Sequence, residues 1–226
     1  MHELDLMVSR TSKKKKIQEL LLNWQKSSSI TYPWRQGEYT PFQTLLTEIL
    51  LRKTNAPKVK NYINRTIREV GSPYKIKELG VSALRESLKP YGMSNKKAEE
   101  LSALAERLES DFSGAVPSDR VNLLNLPGIG NYIANCVLCF SFNKRVPILD
   151  VNIIRLLMRV FSIKSDRARP RDDLKLWKFA ESLLPEKQFK EFNLALLDLS
   201  MRVCKTKKPR CHECPLTEIC DFFKAQ

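Results

Sequence analysis

The stretch of sequence that decides the fold is LPGIG, which comprises Leu126, Pro127, Gly128, Ile129 and Gly130. It lies between two segments whose apolar residues recur at helical spacing. Pro127 ends the first helix, and we expect both glycines to supply the positive φ angles of a tight turn. The second helix then begins near Asn131, so its first backbone N–H groups point out of the turn. Such a helix start suits a DNA phosphate, although a plain helix–helix connector has the same outline.

The net charge favours a polyanionic partner. Among 226 residues, 39 Lys and Arg outnumber 25 Asp and Glu, which gives a formal charge of +14. Such an excess is typical of nucleic-acid-binding proteins, and a merely basic protein is the alternative. The sequence contains no apolar run of about 18 residues, no signal peptide and no lipidation motif. We therefore expect an intracellular, cytoplasmic protein that associates with the nucleoid through DNA and not with a membrane.

The spacing of apolar residues predicts helices along most of the chain, and no stretch alternates long enough to form a sheet strand. We therefore predict an all-α protein of two helical lobes, with residues 31–35 in a loop. The predicted helices cover residues 13–26, 41–52, 55–67, 76–79, 82–88, 95–109, 121–124, 132–142, 151–161, 172–183 and 189–204.

An aspartate lies twenty residues beyond Gly130, directly before an apolar helix. Asp150 is a favourable N-cap for that helix. A carboxylate fixed in this way can also stabilise positive charge on a sugar, or deprotonate a water molecule, while an N-glycosidic bond breaks. The spacing alone leaves both roles open.

Four of the six cysteines cluster near the C-terminus with the spacing C-x6-C-x2-C-x5-C. The set Cys204, Cys211, Cys214 and Cys220 can bind zinc or a [4Fe–4S] cluster, and the spacing hardly separates the two. The loop between the first two cysteines includes Lys207 and Lys208 among four positive charges, and it predicts a phosphate contact. Cys136 and Cys139 have apolar neighbours, and we expect them to be buried structural residues.

LPGIG, the aspartate and the cysteine spacing together resemble the helix–hairpin–helix glycosylase superfamily, in its endonuclease III and mismatch-glycosylase branch. The resemblance covers nearly the whole chain. It implies a six-helix barrel at residues 41–144, and a second lobe of residues 1–40 and 145–226 that carries a [4Fe–4S] cluster rather than zinc. It further implies a monomer that acts on mismatched double-stranded DNA and flips a base into the cleft between the lobes, with Asp150 as the catalytic carboxylate.

The second residue after the last glycine of the hairpin separates the enzymes of this branch. Endonuclease III-like enzymes have a lysine there, which attacks the sugar and adds lyase activity. This chain has Tyr132, and a tyrosine cannot form a Schiff base. The resemblance therefore implies a monofunctional glycosylase, closest to the thymine-DNA glycosylases that remove thymine, and also uracil, opposite guanine. A tyrosine that only packs in the wall of the cleft is the alternative.

Glu48 keeps adenine open as a substrate, because the matching glutamate of adenine glycosylases protonates the departing purine. Its simpler interpretation is a helix-face carboxylate paired with Arg52 at i+4. Arg52 and Lys53 fall near the residues that the family inserts beside a flipped base, where adenine enzymes carry glutamines. Only six residues follow Cys220, whereas adenine glycosylases usually continue into a domain that reads 8-oxoguanine.

Two further alternatives are open. A DNA-binding module without catalysis would tolerate the loss of Asp150. A lyase would need another amine, for which Lys144 and Lys96 are the candidates.

Overall fold

The computed structural model describes residues 2–27, 31–37 and 39–226, with side chains from residue 12 onward. Within these residues the chain forms helices and no strand, which confirms the all-α class. The chain divides into two units. Met1–Ser29 and Arg145–Gln226 form the terminal unit, and Ile30–Lys144 form the hairpin unit. None of the described helices combines the length and the apolar character that crossing a membrane requires.

Twelve α-helices are numbered along the described part of the chain. They are α1 (His2–Ser27), α2 (Pro33–Gln36), α3 (Pro41–Leu51), α4 (Ala56–Val70), α5 (Pro73–Leu88), α6 (Ser94–Phe112), α7 (Arg120–Leu124), α8 (Asn131–Phe140), α9 (Val151–Phe161), α10 (Leu174–Leu183), α11 (Phe189–Arg202) and α12 (Asp221–Lys224). Short 3₁₀ turns lie at Lys89–Tyr91, Pro170–Asp172, Cys211–Glu213 and Thr217–Ile219. Gly80, with φ of 75°, breaks α5 into two pieces. This break agrees with the separate helices predicted for residues 76–79 and 82–88.

Local sequence rules account for most of the helix starts. Thr40 and Gln43 form a capping box before α3, and the Asn55 side chain accepts from the N–H of Lys58 before α4. Each of these helices has a proline in its first turn, where the missing N–H costs nothing. The prediction that residues 31–35 form a loop was wrong, because Pro33 begins the single turn α2. Its preset φ favours a helix start, while Tyr32 before it stays extended.

The hairpin unit is built around α3, which is strongly apolar and buries Leu45, Leu46 and Ile49. Helix α3 packs on α8, and α5 packs on α6. The α2 turn contacts α4, so the segment before α3 belongs to this unit. The unit therefore begins at Ile30, whereas the sequence interpretation placed the boundary at residue 41.

The terminal unit joins the two ends of the chain. Helix α1 packs on α11 through the buried Ile17 and Leu21, and α9 packs on α11 and α12. On α9, Ile153, Leu156 and Val160 are buried, so this helix is fixed along its inner face. The terminal unit thereby holds the helix that begins at Asp150.

A buried lysine fixes the turn that follows α3. Lys97 of α6 is 3% exposed, and its Nζ donates to the carbonyl oxygens of Leu50 and Tyr91, at 3.1 and 3.2 Å, and to Thr54 Oγ1 at 2.9 Å. Removal from water, followed by the charge of Arg52, lowers the pKa of Lys97 from 10.5 to about 8. One side chain therefore closes the end of α3 and orients residues 52–54.

Lys97 makes the free energy of unfolding depend on pH in the alkaline range. Between the pKa of about 8 in the folded protein and 10.5 in the unfolded chain, the unfolded state binds more protons, so stability rises with pH. Relative to Lys97→Met, we expect the unmodified protein to gain about 1–3 kcal/mol between about pH 7.5 and pH 10. Urea unfolding of both proteins at matched pH measures this gain. Lys89→Met, which removes an exposed lysine of the same unit, is the control, and a difference that is constant with pH would contradict the assignment.

Candidate functional site

The predicted hairpin is present between α7 and α8. The N–H of Ile129 donates to the carbonyl of Leu126 at 3.2 Å, and both side chains are buried. Gly128 has φ of 75°, a conformation that favours glycine. The sequence therefore identified the turn and the residue on which it depends.

Gly130 has a different role from the one expected. Its φ is −105°, so it is extended rather than left-handed, and it is the N-cap of α8. A Cβ added at this position would meet nothing within 4 Å, so the fold itself does not require a glycine here. Its bare backbone lets another molecule approach the N-terminal end of α8 closely, and the helix dipole favours an anion there.

Arg52 connects the hairpin to the rest of its unit. Its guanidinium pairs with the Glu100 carboxylate of α6, and Nη1 donates to the Gly128 carbonyl at 3.5 Å. The next residue, Lys53, is exposed and left-handed, with φ of 55°. The structure thus brings Arg52, predicted to contact DNA, directly to the hairpin. The sequence also allowed a pairing of Arg52 with Glu48, whereas the Arg52 guanidinium is paired with Glu100.

Glu48 and Tyr132 lie on two helices that pack together and run antiparallel. Ser141 Oγ, beyond the end of α8, donates to Thr44 Oγ1 near the start of α3 at 2.9 Å, while the opposite end of α3 contacts the hairpin. Glu48 is 7% exposed in the middle of α3, and Tyr132 is half-buried in the first turn of α8. Cys136 and Cys139 are fully buried farther along α8, as expected for structural residues.

In the terminal unit, Asp150 is the N-cap of α9, as predicted. Its Oδ1 accepts from the backbone N–H groups of Asn152 and Ile153 at 2.9 and 2.7 Å. Its Oδ2 accepts from Asn152 Nδ2 at 2.7 Å. Buried Asn193 bonds the carbonyl of Val146 and the N–H of Ile148, which fixes the segment that leads to Asp150. The first turn of α9 therefore orients the Asp150 carboxylate, and Asn193 fixes the backbone that leads to it.

The sequence interpretation missed the arginines that connect α9 to the cysteine loop. Arg155 Nη1 donates to Asn152 Oδ1 at 3.0 Å, while Nη2 donates to the carbonyls of Ser200 and Cys204 at 2.8 and 2.9 Å. One turn later, Arg159 Nη1 donates to the carbonyl of Lys205 at 2.7 Å and to Cys204 Sγ at 3.4 Å. The signal in the sequence was the recurrence of arginine at i+4 on an otherwise apolar helix.

The four clustered cysteines line one cavity, together with apolar side chains that include Leu156, Val203 and Leu216. Burial raises the pKa of Cys214 to about 11, and the neighbouring thiols contribute. Over residues 2–27, 31–37 and 39–226, no three His, Cys, Asp or Glu side chains are grouped closely enough to hold a single metal ion.

The loop between Cys204 and Cys211 is fixed at both ends. The N–H of Arg210 donates to the carbonyl of Val203 at 2.9 Å, and Arg159 Nη2 donates to the carbonyl of Thr206 at 3.0 Å. Lys207 and Lys208 are exposed at its tip, and Lys208 is left-handed, with φ of 50°. The predicted pair of lysines is therefore presented to solvent on a closed loop.

Comparison with known proteins agrees with these features. A thymine/uracil-DNA glycosylase of Pyrobaculum aerophilum is 37% identical to this chain over 92% of each protein. An adenine DNA glycosylase of Mycobacterium tuberculosis is 31% identical over 87% of this chain and 64% of its own length. The solved structure of a thermostable thymine-DNA glycosylase superposes with a TM-score of 0.90 and 31% identity, and the match covers 96% of this chain and all of that one. The family model for HhH-GPD superfamily base excision DNA repair proteins matches residues 46–181, which is more than half of the chain, so this protein belongs to that superfamily.

Proposed function

We propose that this protein is a monofunctional DNA glycosylase that removes thymine, and also uracil, opposite guanine. The observation that carries the proposal is the likeness to a thymine/uracil-DNA glycosylase along nearly the whole of both chains. A tyrosine in place of the lyase lysine supports it. The partner is double-stranded DNA that contains the mismatch, and the chain acts as a monomer.

The positively charged and glycine-containing loops would hold the DNA backbone. The N-terminal end of α8 and the bare backbone of Gly130 suit one phosphate. Lys207 and Lys208 on the closed loop suit another, and Lys53 lies beside Arg52 on the exposed turn after α3. The ion pair of Arg52 with Glu100 orients that turn, so we assign Lys53 the more direct approach to the gap left by a flipped base.

Asp150 would act on the sugar. When the bond between C1′ and the thymine N1 breaks, the electron pair leaves with the base and positive charge develops on the sugar. The fixed carboxylate stabilises that charge and takes the proton from the water whose oxygen bonds to C1′. Tyr132 offers a ring and a hydroxyl to the flipped pyrimidine but no amine to the sugar, so the reaction ends at the abasic site.

The four clustered cysteines would hold a [4Fe–4S] cluster, as the resemblance to the endonuclease III branch implies. They supply four thiol sulfurs around one cavity whose other walls are largely apolar. Arg159, which donates to Cys204 Sγ, would balance part of the negative charge of a thiolate-bound cluster. When bound, such a cluster supplies a cross-link that fixes the loop and a centre for electron transfer.

The burial of Glu48 is the observation that favours adenine as the second candidate substrate. A carboxyl group removed from water on α3 could protonate a departing purine, whereas thymine leaves as an anion and gains less from an acid.

Single-turnover cleavage of labelled duplexes tests the function. We expect T/G and U/G duplexes to be cut only after alkali, because an abasic site needs alkali to break the strand. Matched duplexes should remain intact. Cutting confined to adenine opposite guanine or 8-oxoguanine would replace the proposal with the adenine activity. We expect Asp150→Asn to lower the T/G rate by about 10²–10⁴-fold and to keep the helix cap, since Asn caps as well as Asp.

Asp173→Asn is the matched control for this variant, because Asp173 caps α10 in the same unit. An unchanged T/G rate in Asp150→Asn, with duplex binding retained in both variants, would contradict the catalytic role.

Tyr132→Lys is expected to create lyase activity. A lysine in the first turn of α8 would place an amine where the lyase branch carries its nucleophile, and the amine would form a Schiff base with C1′ of the sugar. Borohydride should then trap a covalent complex with T/G duplex, which Tyr132→Phe should not give. If Tyr132→Lys binds DNA and cannot be trapped, the placement of Tyr132 beside the sugar is wrong.

Metal analysis of the purified protein tests the cluster. We expect about four irons and four sulfides per chain, with iron–thiolate absorption in the visible range. Cys211→Ser should lose both, whereas Cys139→Ala, which removes a buried thiol outside the loop, should keep both. Stoichiometric zinc without sulfide would contradict the iron–sulfur assignment.

A further inference from the structure

A groove of about 830 Å³ runs along the outer face of α9 in the terminal unit. Helix α9 lines it with one stripe of residues at i, i+3, i+4, i+7, i+8 and i+11, which are Val151, Ile154, Arg155, Met158, Arg159 and Ser162. The other walls come from the loop at residues 163–171 and from α12. The groove therefore extends along all of α9, about 16 Å at the rise of a helix.

The floor of the groove is mainly apolar. Val151 is 63% exposed, and the half-buried Met158 and Ile163 continue the apolar surface. An exposed apolar strip of this kind, rimmed by charged residues, is typical of a surface that another molecule covers.

The rim of the groove is positive. Lys164, Arg169 and Arg171 line it, and within the described parts of the chain none of the three is in an ion pair. The acidic residues on the walls already have cationic partners: Asp221 is paired with Lys13 at 2.6 Å, and Asp166 is paired with Lys175 at 3.6 Å. The groove thus offers positive charge without a compensating negative charge.

Nucleic acid fits this surface less well than a protein segment does. Binding of unpaired bases depends on open aromatic faces, and Arg159 covers the Phe222 ring, with its guanidinium carbon 4.7 Å from the ring centroid. Both α9 arginines in the groove are engaged by carbonyl groups of the cysteine loop and its approach, so they are not available to phosphates. Apolar side chains on the incoming molecule would match the floor.

We propose that the α9 groove docks an acidic amphipathic helix of a partner protein. Three turns of such a helix match the length of α9. Leucine or phenylalanine at i, i+3, i+4 and i+7 would cover the floor, and Asp or Glu on the flanks would meet the rim. Because the groove begins one residue beyond Asp150, the docked partner would lie next to the end of α9 that carries the carboxylate.

Fluorescence anisotropy with a labelled synthetic peptide tests the proposal. The probe is a helix-forming peptide of about twelve residues, with leucine at i, i+3, i+4 and i+7 and glutamate on both flanks. We expect micromolar binding by the intact protein. The triple change Lys164→Glu, Arg169→Glu and Arg171→Glu should weaken it by about tenfold or more, and Met158→Glu should weaken it independently by placing a negative charge on the floor.

The matched control is a second triple reversal, Lys26→Glu, Lys178→Glu and Lys187→Glu, which alters exposed lysines of the same unit outside the groove. It should leave the peptide affinity within about twofold. Equal loss in both triple variants would mean nonspecific attraction to a basic protein and would overturn the proposal, as would no binding. Displacement of the peptide by matched duplex DNA, with loss of duplex binding in the rim variant, would make the groove a nucleic-acid surface instead.

Discussion

Carbonyl groups at the C-terminal ends of helices are bonded by arginine and lysine side chains that come from distant parts of the sequence. Near the end of α3, the carbonyl of Leu50 accepts a hydrogen bond from Lys97. After α10, the carbonyl of Leu184 accepts from Arg145 at 2.7 Å, and near the end of α11 the carbonyl of Ser200 accepts from Arg155. The last carbonyls of a helix have no partner within it, and a buried carbonyl left without one costs about 1–3 kcal/mol. A cation also opposes the negative end of the helix dipole. Each such contact fixes the turn that follows the helix, and two of these turns carry candidate functional residues: Lys53 follows α3, and Cys204 follows α11.

Helix α9 shows how this constraint organises the terminal unit. Its first residue follows Asp150, and its arginines hold the end of α11 and the start of the cysteine loop. The carboxylate and the loop therefore take their positions from one rigid element. In the hairpin unit, Lys97 fixes the turn after α3, which carries Lys53. Arg52 on that turn bonds the Gly128 carbonyl and so connects the turn to the hairpin. In both units a buried or half-buried cation supports exposed loops that present cations of their own.

The sequence predicted what depends on local rules. The cap at Asp150, the helix starts at Pro41 and Ala56 and the left-handed Gly128 all follow from residues within one turn of each other. The sequence could not predict what depends on long-range contacts. Arg52 pairs with Glu100, 48 residues away, because the packing of α6 against α3 brings that carboxylate to the turn after α3. From the sequence alone, Lys97 cannot be distinguished from a surface lysine, because only the packing of α6 against the end of α3 buries it.

The distinction between local rules and long-range contacts also affects how the net charge is interpreted. A charge of +14 suggests one broad surface for nucleic acid, but the cations separate into two populations. Arg155, Arg159 and Lys97 donate to carbonyl groups inside their units and have little left for a phosphate, whereas Lys53, Lys207 and Lys208 are exposed on the turns that those contacts hold in place. Removing a member of the first population would change the shape of a loop, and removing a member of the second would change only its charge. Net charge alone therefore overstates the surface open to DNA, because the structural cations are recognised only by what surrounds them.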